Sequence, residues 1–71
     1  MKEVNMKTRI MEFLLEAGYS EQQVHEGFRY ADKIGYGDAD RLGQLALSRI
    51  LYSDEQLKAG DLVSWTPIEA A

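Results

Sequence analysis

The sequence predicts an all-α fold: a small three-helix bundle with a short fourth helix and an extended C-terminal tail. Three observations carry this expectation. Apolar residues recur at helical spacing in three successive stretches, the first holding Ile10, Phe13, Leu14 and Ala17. Ser20 with Gln23, and Ser53 with Gln56, each have the spacing of a capping box, in which a hydroxyl and an amide satisfy two orphan N–H groups at a helix start. Glycines 18, 35 and 60 fall where the periodic stretches stop, as helix C-termini favour.

The first helix is expected over about residues 6–17, with Asn5 as N-cap and Gly18 as stop. Its apolar face would be Ile10, Phe13, Leu14 and Ala17, with Arg9, Glu12 and Glu16 on the other side. The second helix spans about residues 20–34. Tyr19 and Val24 stand in staple positions around its Ser20 cap, and Val24, Phe28, Ala31 and Ile34 form the stripe meant for the core. Gly27 lowers helix propensity by up to about 1 kcal/mol, a cost that makes sense where another helix passes close by. After the Gly35-Tyr36-Gly37 turn, Asp38 caps a third helix over about residues 38–51. Leu42, Leu45, Ala46 and Ile50 make its stripe, and Leu47 and Leu51 widen it. An arc this wide packs against more than one neighbour or turns partly toward a partner molecule.

The fourth helix, about residues 54–59, opens on the second capping box, with Tyr52 and Leu57 in staple positions. Residues 61–71 form the tail. Leu62, Val63 and Trp65 lean toward extended backbone, but Pro67 and the lack of a partner strand argue against a sheet. Trp65 is expected to pack back onto the helices.

With 71 residues the chain has room for one domain, which buries only about 60% of its unfolded surface. An apolar fraction of 45% is still enough to fold. No Cys is present, which excludes a disulfide scaffold and a cysteine zinc cluster and fits a cytoplasmic setting. The net charge is -4, and the acidic excess lies in residues 34–71, at Asp38, Asp40, Asp54, Glu55, Asp61 and Glu69. Phosphate backbones are bound by clustered Lys and Arg, so this balance argues against a dedicated nucleic-acid binder. The best apolar stretch, residues 10–17, is interrupted by Glu12 and Glu16 and falls short of the roughly 20 residues of a membrane span. The N-terminus has no signal-peptide pattern.

Candidate chemistry is sparse, and neither catalytic residues, nor a metal, nor a cofactor is expected. His25 is the one imidazole, at the edge of the second helix's stripe beside Arg29 at i+4. A nucleophile would come from Ser20, Ser48, Ser53 or Ser64, two of which read as helix caps. Asp32, Asp38 and Asp40 lack the spacing of a calcium loop, and Asp38 and Asp40 suit a helix N-terminus. Gly35-Tyr36-Gly37 lacks the Lys of a phosphate loop. The third helix could serve as a recognition helix with Arg41, Gln44, Ser48 and Arg49, yet two aspartates occupy its first turn, where groove contacts are made. Tyr19, Tyr30, Tyr36, Tyr52 and Trp65 are many aromatics for so small an interior, and Tyr and Trp are enriched in interface hot spots.

The segment Ile10-Met11-Glu12-Phe13-Leu14-Leu15-Glu16-Ala17-Gly18-Tyr19-Ser20-Glu21-Gln22-Gln23-Val24, continued to about Leu51, resembles a ubiquitin-associated (UBA-like) three-helix domain. Ala17-Gly18-Tyr19 is similar to that family's Met-Gly-aromatic loop in its Gly and its aromatic, with Ala in place of Met. The Gly-rich connection before Asp38 is longer than the family's, and residues 52–71 have no counterpart. The resemblance implies a compact bundle that binds another protein through the loop and the end of the third helix.

The expected function is that of a non-catalytic protein-binding module, a small cytoplasmic adaptor, regulator or inhibitor of a larger protein partner, of the kind phages and plasmids encode. Gly18, Tyr19, Leu47, Leu51 and Tyr52 are the expected contact patch. The alternatives are a helix-turn-helix-like nucleic-acid regulator and a self-associating structural subunit of an assembly.

Overall fold

The structure, a computed structural model, describes residues 6–65. Its helices are α1 (Met6–Glu16), α2 (Glu21–Ile34), α3 (Ala39–Leu51) and α4 (Asp54–Lys58), and no strand occurs among the described residues. The all-α architecture is therefore as expected. The tail beyond Trp65 and the expected cap Asn5 lie outside the described residues.

Local chemistry sets the helix starts. Ser20 Oγ accepts from Gln23 N at 3.1 Å while Gln23 Oε1 accepts from Ser20 N at 2.9 Å. Ser53 and Gln56 repeat both bonds at 3.2 and 2.9 Å. Asp38 Oδ1 accepts from Arg41 N at 2.9 Å, which makes it the cap of α3 rather than a metal ligand. Gly18 and Gly35 close α1 and α2 at φ 108° and 96°, conformations that a Cβ disfavours.

The core holds Ile10 and Leu14 of α1, Val24, Phe28 and Ala31 of α2, and Leu42, Leu45 and Ala46 of α3. α2 and α3 form the principal helix pair. They meet where Gly27 faces Ala46: a Cβ built on Gly27 would stand 2.6 Å from the Ala46 carbonyl oxygen. This is the close passage that the sequence suggests.

Three residues expected in buried stripes are exposed instead. α1 turns Ile10 and Leu14 inward with Met11 and Leu15 beside them, so Ala17 is exposed and Phe13 is 45% exposed. Phe13 is drawn sideways to Trp65, whose ring it meets edge-on with centroids 5.4 Å apart. Ile34 is 51% exposed. It is the last residue of α2, so no further turn of that helix covers it.

Residues 61–65 run extended across α3 without strand pairing. Ser48, fully buried, organises this crossing. Its Oγ donates to Gln44 O at 2.6 Å and accepts from Val63 N at 2.9 Å, while Gln44 Nε2 donates to Val63 O at 3.1 Å. Val63 is thereby held at 7% exposure, and the Trp65 ring lies over Gly43, as the expected return of Trp65 to the helices requires. Ser48→Ala should cost about 1–2 kcal/mol, because it leaves the buried Val63 N–H without an acceptor. Urea unfolding checks this, the expected signature being a lower midpoint at unchanged m-value. A wild-type midpoint would mean that the hydroxyl does not anchor the segment.

Candidate functional site

All five residues of the expected patch fall among the described residues. Lys7 Nζ donates to Asp32 Oδ2 at 2.9 Å, which sets the first turn of α1 beside the last turns of α2. That bond raises the Lys7 pKa above its ordinary value. Arg49 pairs with Glu26 at 3.5 Å, and Gly27 abuts Ala46, so α2 and α3 run past each other in opposite directions.

The five residues differ in exposure. Gly18 is exposed in the turn. Tyr19 donates its N–H to Leu14 O at 3.2 Å, and its half-buried side chain packs against the core. Leu47 is likewise half-buried against the core. Leu51, the last residue of α3, is a large aliphatic side chain 52% exposed to solvent. Tyr52 caps α3 with extended backbone, its N–H donating to Ser48 O at 2.7 Å, and is half-buried. Tyr19 and Leu47 thus have one side committed to the fold and one available.

A second surface is one that sequence reasoning missed. Between α2 and α4 runs a groove of about 510 Å³. Its floor is Tyr30, Ile34 and Leu57, and its rim carries Arg29, Lys33, Arg49 and Lys58 with Glu26 and Asp54. The helical period of α2 points Ile34 to the core, and the other floor residues come from separate helices. The one local signal is the i, i+4 spacing of Tyr30 with Ile34 and of Arg29 with Lys33.

The groups weighed for catalysis are dispersed or engaged. Ser20 and Ser53 are helix caps, Ser48 is buried and doubly bonded, and His25 is exposed on α2. Among the described residues no set of three His, Asp or Glu side chains is placed to hold a metal ion. No helix among them is long and apolar enough to cross a membrane.

Comparison of the chain with known protein families finds no match, and neither curated proteins nor solved structures yield one.

Proposed function

We propose that this chain is a non-catalytic protein-binding module, a small cytoplasmic adaptor, regulator or inhibitor that acts by occupying a larger partner. The observation that supports the reading is the exposure of Leu51, 52%, at the end of α3, with Leu47 one turn before it and Tyr52 after it half-buried, as Tyr19 is in the α1–α2 turn. Side chains already held by the core lose little rotamer freedom on binding, so they are pre-organised for contact. Tyrosines add large area with few rotors. The UBA-like resemblance implies contact through the same loop and helix end.

The position of α3 weighs against the recognition-helix alternative. It packs against α1, α2 and α4, and the 61–65 segment lies across Gly43. Arg41 is bonded to Gln44 at 2.7 Å and Arg49 is paired with Glu26, so this helix has little free basic surface to insert in a groove.

Leu51→Glu tests the reading better than a change at Tyr19, because an exposed leucine can be replaced without disturbing the core. Tagged wild-type and variant chains are used as bait in lysate of the source cell, with purified ubiquitin as a defined second probe. A discrete partner should be retained by the wild type and reduced about tenfold or more by the variant, as for loss of a hot spot. Thermal midpoints of the two chains should agree. Equal capture by both chains would remove Leu51 from the binding surface.

A further inference from the structure

Four of the chain's eight basic side chains meet at the α2–α4 groove, although the chain as a whole is acidic. Arg29 and Lys33 come from α2, Arg49 from the last turn of α3 and Lys58 from the last turn of α4. Under this rim lies an apolar floor in which Ile34 is 51% exposed and Tyr30 and Leu57 are half-buried. An uncovered apolar floor inside a cationic rim is complementary to one kind of object.

We infer that this groove docks an acidic amphipathic segment of a protein partner, helical when bound. The segment's apolar side chains cover Tyr30, Ile34 and Leu57, and its carboxylates face Arg29, Lys33 and Lys58. The inference extends the protein-binding reading but uses a surface separate from Leu51. Charge complementarity chooses this occupant: rim cations steer and orient an acidic chain, while the floor supplies the desolvated contact. A nucleic-acid backbone fits less well. Tyr30, Ile34 and Leu57 give the apolar side chains of an amphipathic segment something to cover, and offer a phosphate nothing.

The experiment uses the full chain and a fluorescein-labelled synthetic peptide of about 15 residues, with Leu at i, i+4 and i+7 and Glu on the remaining face. A sister peptide carries Lys for every Glu, and a single-stranded oligonucleotide is run beside them. The acidic peptide should bind and weaken as salt rises, shifting NMR resonances of Tyr30, Ile34 and Leu57. The double variant Arg29→Glu, Lys33→Glu should weaken it about tenfold or more, since inverted rim charges repel the same ligand. Both changed side chains are exposed, so circular dichroism and thermal midpoint should match the wild type. Leu51→Glu should leave peptide affinity unchanged, which separates this groove from the Leu51 surface. Equal affinity for the two peptides, binding of neither, preference for the oligonucleotide, or self-association through the groove in place of peptide binding would each overturn the inference. The lysate comparison with Leu51→Glu stands or falls independently.

Discussion

Gly27→Val should destabilise the domain by about 3 kcal/mol or more, at the upper end of what overpacking a close contact costs. Gly27→Ala should destabilise it by about 1–2 kcal/mol. In an exposed helix interior the alanine change has the opposite sign, since replacing Gly gains about 1 kcal/mol of helix propensity. Here the new methyl meets backbone rather than a side chain that can rotate away: the Ala46 carbonyl oxygen at 2.6 Å and Ala46 Cα at 3.0 Å. Relief requires that α2 and α3 separate, and these two helices carry most of the core. A domain of this length is stable by only about 4–10 kcal/mol, so the valine variant removes a large share of its stability. Gly37, which has nothing within 4 Å of an added Cβ, is the control. Gly37→Ala should be neutral or stabilising by a few tenths to about 1 kcal/mol, through the unfolded chain. The check is urea unfolding of the variants. A Gly27→Ala protein more stable than wild type would mean that the close passage does not exist in solution.

That example separates what could be read in the sequence from what could not. Capping is chemistry between residues three apart, so Ser20 with Gln23, Ser53 with Gln56 and Asp38 identified the helix starts without knowledge of the neighbours. Gly27 could be read as a close approach, because a glycine costly to its own helix asks for a reason, but its partner Ala46 could not be named. Burial is a relation between elements. Ile34 continues the periodicity of Val24, Phe28 and Ala31, yet it ends α2 and lines the groove instead. Ser48 carries no periodic signal of burial at all. A hydroxyl can be fully buried there because Val63 N and Gln44 O satisfy it, and Val63 is 15 residues distant in sequence. That Tyr19 and Tyr52 stand beside turns was legible, because capping boxes mark the starts of α2 and α4. The groove was not, since its cations come from three helices whose relative placement depends on the packing.

The C-terminal segment supplies the other large effect, and it takes the form of a thermodynamic coupling. Trp65→Ala should cost about 2–3 kcal/mol, below the 3–5 kcal/mol of a fully buried ring because Trp65 is half-buried. Gly43→Ala should cost about 2 kcal/mol in the wild-type background, because its Cβ would overlap the indole carbons and the ring would have to leave α3. In the Trp65→Ala background the same change should stabilise by about 1 kcal/mol, since only the helix propensity of a mid-α3 position is then left. The two substitutions are therefore expected to couple by about 3 kcal/mol, the upper range for residues in direct contact. Tryptophan fluorescence gives an independent reading. Gly43→Ala should shift the emission of the chain's one tryptophan to the red as its ring enters water, with helix content retained. Additive free energies, or unshifted emission, would show that Trp65 does not rest on Gly43. Such a coupling means that Gly43 lacks a side chain so that the indole can lie against α3, beside the Ser48 hydroxyl that holds Val63. With ring and hydroxyl both engaged, the extended segment closes over a helix already packed against α1 and α2.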